Sequence, residues 1–560
     1  MSIKVYLLSV VQALVTLGPS SSPSPQTSLG LTSAAPIVDL GYSQYQGSVN
    51  SSSNITNFLG VRYAAAPTGN LRWEPPQPPP TTSGVQQATT QPIGCYAGSM
   101  GMGPNQAPGS TALNDEYSED CLFVNVHVPG SNVVAAPSGG LPVVVWIHGG
   151  GYAAGGAAAY DGGDLIKESN YGVIVVVMQY RLGVFGMSSL QLLIHEYTHC
   201  LLGFLAGQAV KQGGALNAGL LDQDYALQWV QSHISTFGGD PARVTLWGES
   251  AGGGSVLQQL VANAGNTQPP RFQQAITSSP FLPSQYNYHD AKPEALYSEV
   301  VNRTNCNSAT DTLACLRATD VGLLQAVNYA MSLQNMYGTF TFTPVVDGTF
   351  IVERPSVTIG KGRLNSQRLL AVHNTNEGVI FVNPVGLPPL ADYLESLFPS
   401  FGSSQALSAA SMYQGLGNNL DQARLAIGEA MFICPAYYLI EAYGPQSWKA
   451  EFAIPLAWHI DDVPYYYTSY SGLPQRNYNN PAFIQSFSNS FMAYAMYGTP
   501  NHRYNAGDIT PTWNSWQSGL SEIVFGRTPL GFPNVVASTT NAGLADRCSF
   551  WRSVSGYTLQ

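Results

Sequence analysis

Val244-Thr-Leu-Trp247-Gly248-Glu249-Ser250-Ala251-Gly252-Gly253-Gly254 decides how this chain is read. Its first four residues, β-branched, aliphatic and aromatic, read as a short buried strand. A Gly-x-Ser-x-Gly follows without a spacer, and the small residues after it open a helix. A serine on so tight a strand-to-helix bend is a nucleophile elbow, with flanking glycines leaving room for the turn. The bend lifts the hydroxyl above the sheet edge, where the first N–H groups of the helix can face a developing oxyanion. The motif alone recurs by chance in long chains; here its flanks make it specific.

Working outward, the apolar runs 142–147, 172–180, 369–373 and 452–458 read as further buried strands. They lack alternation, as strands do when helices cover both faces of a sheet. Helix-like spacing of apolar residues marks 219–237 and 423–443. Strand–helix alternation of this kind predicts an α/β fold, an open, mostly parallel sheet wound with helices on both sides. No internal repeat and no sharp compositional shift appears, so residues 36–560 read as one domain. The 560 residues are 44% hydrophobic, enough for a large core. Charged residues are only 10%, and the net charge of −11 argues against a nucleic-acid partner.

A second motif stands about a hundred residues before the serine. His148-Gly149-Gly150-Gly151-Tyr152 leaves the end of the strand 142–147, and such a glycine run can aim successive N–H groups at one point. A hydrolytic serine also needs a base and an orienting acid, in the chain order Ser, acid, His for this architecture. Four histidines follow Ser250: His289, His373, His459 and His502. His459 follows the run 452–458, where ligands bind in open α/β sheets. His502 sits in a turn, and His373 precedes the best acid. That acid is Glu377, in the loop after 369–373; Asp347, Asp461 and Asp462 remain rivals by spacing alone.

Taken together, these residues resemble the type-B carboxylesterase/lipase family, cholinesterase-like α/β-hydrolases, and most of all its secreted fungal members. The resemblance rests on Phe58-Leu-Gly-Val-Arg-Tyr63, Gly69-Asn-Leu-Arg-Trp73, Ser118-Glu-Asp-Cys-Leu122 and Trp146-Ile-His-Gly-Gly-Gly151. Tyr180-Arg-Leu-Gly-Val-Phe-Gly186, Asn217-Ala-Gly-Leu-Leu-Asp-Gln223 and Phe237-Gly-Gly-Asp-Pro241 extend it across almost the whole chain. It implies an α/β-hydrolase that cleaves carboxylic esters with no cofactor and no metal. Ser250 would be the nucleophile, Glu377 the acid and His459 the base, with an oxyanion hole from Gly150, Gly151 and Ala251. Arg72 with Glu119 would match the family's structural ion pair. One departure is Ile460, where many relatives carry glycine after the catalytic histidine. The rival readings are a lipase acting on long-chain or carotenoid esters, or a silent adhesion protein of the same fold.

The N-terminus predicts export. Lys4 precedes an apolar stretch, 5–17, and a Pro/Ser-rich segment follows, so residues 1–18 read as a signal peptide whose cut could lie as far as about 35. The stretch is too short to span a bilayer, and no later run of about 18 uncharged apolar residues appears, so no stable membrane insertion is expected. Asn50, Asn54 and Asn302 head glycosylation sequons if the chain is secreted. Of seven cysteines, Cys95 and Cys121 close one loop and Cys306 and Cys315 a smaller one, although sequence alone permits other pairings. The resemblance implies Cys434 with Cys548 as a third bridge, which leaves Cys200 over.

Cys200 lies in 187–203, a stretch that interrupts the resemblance. Joining Gly186 to Phe204 restores Gly-Val-Phe-Gly-Phe-Leu-Ala-Gly. Gly186-Met-Ser can be encoded with a GTATGT donor and Leu202-Gly203 with an AG acceptor, so the stretch reads as a retained intron. It contains His195-Glu-Tyr-Thr-His199, which matches a zinc-protease helix, but no third ligand is evident and no metal is expected. The loop between Cys95 and Cys121 is too rich in Gly and Pro for a long amphipathic lid helix. It also lacks Trp, which argues against choline esters. A small-molecule ester is the expected partner.

Overall fold

Val143, Val144, Val145, Trp146 and Ile147 are all fully buried, yet they belong to two different cores. Val143, Val145 and Ile147 face one hydrophobic layer, and Val144 and Trp146 face the other. Successive side chains of a strand point to opposite faces, so a strand covered on both sides must be apolar throughout. The computed structural model describes residues 35–104, 117–131, 139–183, 203–472 and 474–560. Residues 36–560 cluster as one compact unit. The signal segment 1–18, His195, Glu196, His199, Cys200 and all of 187–203 except Gly203 lie outside the described residues.

Eleven strands among the described residues form the main sheet. They are β1 (Ser48–Asn50), β2 (Ile55–Arg62), β3 (Phe123–Pro129), β4 (Leu141–Ile147), β5 (Ile174–Met178) and β6 (Gly239–Glu249). Then come β7 (Gln274–Ser278), β8 (Arg368–Asn374), β9 (Ser447–Ala453), β10 (Ser521–Arg527) and β11 (Pro533–Thr539). Their spatial order is β11-β10-β9-β8-β7-β6-β4-β5-β3-β2-β1. β4 through β10 run parallel, and β1 to β3 and β11 are antiparallel flanks. Helices Ala218–His233, Ala251–Gly265 and Cys434–Tyr443 pack one face, and Gly162–Glu168 and Pro481–Tyr497 the other. This is the α/β-hydrolase architecture.

Two expected elements need correction. The run 452–458 is not the strand: β9 is Ser447–Ala453, and the chain beyond it is irregular. Lys449 hid the strand, because a charge inside a run reads as surface, yet its ammonium is fully buried beside Glu522 at 4.0 Å. The helix expected over 423–443 begins earlier and is broken: Asn419–Gly428, a π-turn at Glu429–Ile433, then Cys434–Tyr443. Asn419–Gln446 is apolar and long enough to cross a bilayer by length and composition, unlike any run the sequence reading found. Its most apolar window is 83% buried inside the molecule, so it is a core element here.

Candidate active site

β6 ends at Glu249 and a helix begins at Ala251, so Ser250 alone makes the corner. Its φ of 57° and ψ of −122° are a strained backbone for a side-chain-bearing residue. Neighbouring backbone holds the strain in place: Ser250 N donates to Ser278 O (3.0 Å), and Ser250 O accepts from Gly254 N (2.7 Å) and Phe281 N (3.1 Å). The glycines around it are forced by contact. A Cβ on Gly248 would stand 2.4 Å from Gly252 O, and one on Gly252 would stand 2.0 Å from Ile147 O. The motif's spacing is therefore the packing of β4, the bend and the helix.

β8 and the chain after β9 deliver the partners. Asn376 and Trp458 form a parallel bridge beyond the ends of those strands, which sets Glu377 beside His459. His459 Nε2 lies 2.8 Å from Ser250 Oγ, and His459 Nδ1 lies 2.5 Å from Glu377 Oε2. All three residues are buried. The other carboxylate oxygen, Glu377 Oε1, accepts from Ser279 Oγ (2.6 Å) and from Asn374 N (2.6 Å). Asn374 Nδ2 donates in turn to Asp462 Oδ1 (3.0 Å). Phe381 and Phe432 stand against the imidazole with ring centroids 5.1 and 4.5 Å away, which keeps bulk water off it.

The remaining candidates are engaged elsewhere. His373 is buried with Nδ1 on Asn374 O (3.1 Å), and burial pushes its pKa well down. His289 packs on Tyr288 and His502 on Tyr497. Asp347 accepts from the N–H groups of Thr349 (2.6 Å) and Phe350 (2.7 Å), holding a turn. Asp461 accepts from Trp458 N (2.8 Å). Asp462, with its pKa raised to about 6 chiefly by burial, belongs to the network behind Glu377.

The glycine run faces the serine. Gly149, Gly150, Gly151, Glu249, Ser250 and His459 line one cavity of about 230 Å³. Gly150 and Gly151 have φ of 110° and 65°, and neither N–H donates to any group among the described residues. Ala251 N is the first of its helix and has no carbonyl four residues back within it. Burial pushes His148 down to about 4, so the ring packed on Tyr180 behind the run is neutral.

Sequence reasoning missed Glu249, Ser279 and Met100 as contributors. Glu249, an unspecified position of the motif, puts Oε1 3.5 Å from His459 Nε2. Ser279 follows the end of β7 and carries no motif. Ile460 takes φ 78°, the left-handed backbone that glycine adopts freely. Met100, from the Cys95–Cys121 loop, lines the catalytic cavity, and the described parts of that loop, 95–104 and 117–121, contain no helix. Disulfides join Cys95–Cys121, Cys306–Cys315 and Cys434–Cys548. Arg72 Nε meets Glu119 Oε1 at 2.6 Å in a buried pair. Asn50, Asn54 and Asn302 are exposed, and no cluster of metal-binding side chains occurs among the described residues.

Comparison with known proteins gives the family. Residues 34–193 and 192–391 match the carboxylesterase family, and the break between the two matches falls inside 187–203. Carboxylesterase patB of Penicillium expansum is 29% identical over 575 positions, covering 93% of this chain and 96% of its own. A secreted lipase of Arthroderma benhamiae is 30% identical, over 71% of this chain and 75% of its own. The crystal structure of Aspergillus niger EstA superposes with a TM-score of 0.80 at 29% identity, over 94% of this chain and 99% of that one. The chain belongs to the carboxylesterase family and is a serine carboxylic ester hydrolase of the α/β-hydrolase fold.

Proposed function

We propose that Ser250, His459 and Glu377 form the catalytic triad of a secreted esterase acting through an acyl-enzyme. The observation that carries this reading is the pair of contacts made by one imidazole, 2.8 Å to Ser250 Oγ and 2.5 Å to Glu377 Oε2. His459 Nε2 takes the serine proton as Oγ attacks the ester carbonyl, and Nδ1–H stays on Glu377, which steadies the imidazolium. The carbonyl oxygen gains its negative charge opposite the N–H groups of Gly150, Gly151 and Ala251, donors that need no reorganisation. Each such donor is worth about 3 kcal/mol in comparable sites. Collapse expels the alcohol, which receives the proton from His459. Water, deprotonated by the same nitrogen, then releases the acid and regenerates Ser250.

Export by residues 1–18 fits the three disulfides, which form in oxidising compartments. It also fits the exposed Asn50, Asn54 and Asn302, taken here as glycan sites. With no long helix in the described parts of the Cys95–Cys121 loop, dispersed esters suit the site better than bulk triacylglycerol.

Ser250→Ala tests the assignment. The variant should fold with an unchanged circular dichroism spectrum and lose ester hydrolysis at least a thousandfold, and a fluorophosphonate should label the parent at Ser250 alone. Turnover retained in a clean Ser250→Ala preparation, or an unlabelled Ser250, would overturn it.

A further inference from the structure

The loop that carries Glu377 lines two cavities. Ile380 and Phe381 face the catalytic one, while Glu377, Gly378 and Val379 line another of about 360 Å³ that shares no lining residue with it. That volume is within the ~300–1,000 Å³ usual for small-molecule sites. Thr375 and Asn376 at its rim are exposed, so it is reached from solvent without passing Ser250. Its other walls are the helix Asn419–Gly428 and Trp458.

These walls are the segments that set the triad's geometry. The bridge between Asn376 and Trp458 brings Glu377 beside His459. The helix meets the Glu377 loop backbone to backbone: a Cβ on Gly378 would stand 1.9 Å from Arg424 O, and one on Gly428 would stand 2.8 Å from Gly378 N. So close a packing has no slack. A molecule wedged between helix, loop and Trp458 moves Glu377.

The lining limits what that molecule is. Asn376 Nδ2 already donates to Leu456 O (2.8 Å), and Glu377 spends both oxygens on His459, Ser279 and Asn374. Asp421 Oδ2 accepts from Asn418 N (3.1 Å) in the capping box of the helix. Arg424 differs. Its Nε is shielded from solvent without a hydrogen-bond partner, and its guanidinium enters no ion pair, among the described residues. A planar guanidinium matches a carboxylate with two parallel hydrogen bonds. Val379, Leu425, Ile433 and Trp458 offer apolar surface beside it. The Asp421 carboxylate in the same lining disfavours a second negative charge on the guest.

We propose that this cavity is a feedback site for a monocarboxylate with an apolar body, the acid that ester hydrolysis releases, and that its occupation lowers turnover by shifting Glu377 from His459. The effect on rate rests on the triad proposed above; the binding does not.

The test follows ethyl acetate hydrolysis by the full-length protein at constant ionic strength, with octanoate, its dicarboxylate counterpart suberate, or neutral octanamide added. Calorimetric binding of octanoate, which needs no turnover, is measured beside it. Octanoate should lower kcat at least threefold at saturation, apart from any competitive component due to acid in the catalytic cavity. Suberate and octanamide should need at least tenfold higher concentrations for that effect. Arg424→Gln, which removes the charge, and Leu425→Trp, which fills the space and keeps it, should each weaken the effect on kcat at least tenfold, and Arg424→Lys should retain more of it than Arg424→Gln. Progress curves with ethyl octanoate should slow beyond substrate depletion in the parent and not in Arg424→Gln. Purely competitive inhibition, or an effect on kcat that Arg424→Gln and Leu425→Trp both leave unchanged, overturns the site. Inhibition by added octanoate without slowing of the progress curves overturns the feedback. Absent hydrolysis of every ester overturns the triad instead, and the calorimetric comparison of parent and variants then still decides the site.

Discussion

Glu249 Oε1 lies 3.5 Å from His459 Nε2, the nitrogen that also meets Ser250 Oγ at 2.8 Å. An ionised carboxylate there would compete with the serine for the imidazole proton. Burial, helped by the nearby carboxyls of Asp462 and Glu377, pushes Glu249 well above its ordinary 4.5, which keeps it neutral and leaves Nε2 to the nucleophile.

Glu249→Gln should therefore keep kcat within about threefold of the parent. Its stability should depend on pH in a stated direction. Below about pH 4.5 the carboxyl is neutral in both the folded and unfolded parent, and the variant gains nothing. Above it, the unfolded carboxyl ionises while the folded one stays protonated, so the parent loses stability as pH rises towards the folded pKa. The melting-temperature gap in favour of Glu249→Gln should open above pH 4.5 and widen with pH. A constant gap would refute the neutral assignment.

Ser279→Ala removes one of the two hydrogen bonds on Glu377 Oε1 and leaves the bond from Asn374 N. A hydrogen bond to a charged group is worth about 1.5–3 kcal/mol. Steady-state kinetics should give kcat lowered by about tenfold or more with KM nearly unchanged, because the acid positions the base and does not touch substrate. A rise in KM alone would contradict this.

Ile460 holds φ 78° with a β-branched side chain. Alanine normally stabilises a site over glycine; here the order should invert. Chemical denaturation should find Ile460→Gly more stable than Ile460→Ala by about 1 kcal/mol, since only the glycine is free of the strain. The usual order would mean that the backbone relaxes.

What was legible in the sequence was local. The bend at Ser250 and Gly150 announce themselves because their glycines are fixed by backbone contacts within a few residues or with one adjacent strand, whereas Gly151 is held by the distant Phe340 ring. His459 was found through the wrong strand boundary, because buried Lys449 disguised β9 as surface. Glu377 was the best of four acids by its place just after a strand, and family resemblance strengthened a choice that spacing left open, since the bridge between Asn376 and Trp458 joins segments some eighty residues apart. Ser279 had no local signature at all. Its contact with Glu377 comes from tertiary neighbours that no spacing rule encodes.

The stretch 187–203 yields a prediction about the protein as made in the cell. Gly203 N donates to Leu182 O (3.0 Å), and a Cβ on Gly203 would stand 2.5 Å from Arg181 O, so this position demands glycine. Removing 187–203 brings Gly186 next to Phe204 and supplies a glycine for a glycine. The shortened chain should fold and hydrolyse esters at least as well as the long one. Peptide mass spectrometry of the native product should find the tryptic fragment from Leu182 to Lys211 without those residues; the long fragment would end the retained-intron reading.

The contact between Leu182 and Gly203 also has a practical side. It pins the neck of whatever chain runs between them, and lengthening a loop with fixed ends costs only ~0.6 kcal/mol per doubling. An affinity peptide grafted at that neck would tether the enzyme to a support while the sheet beneath keeps its register.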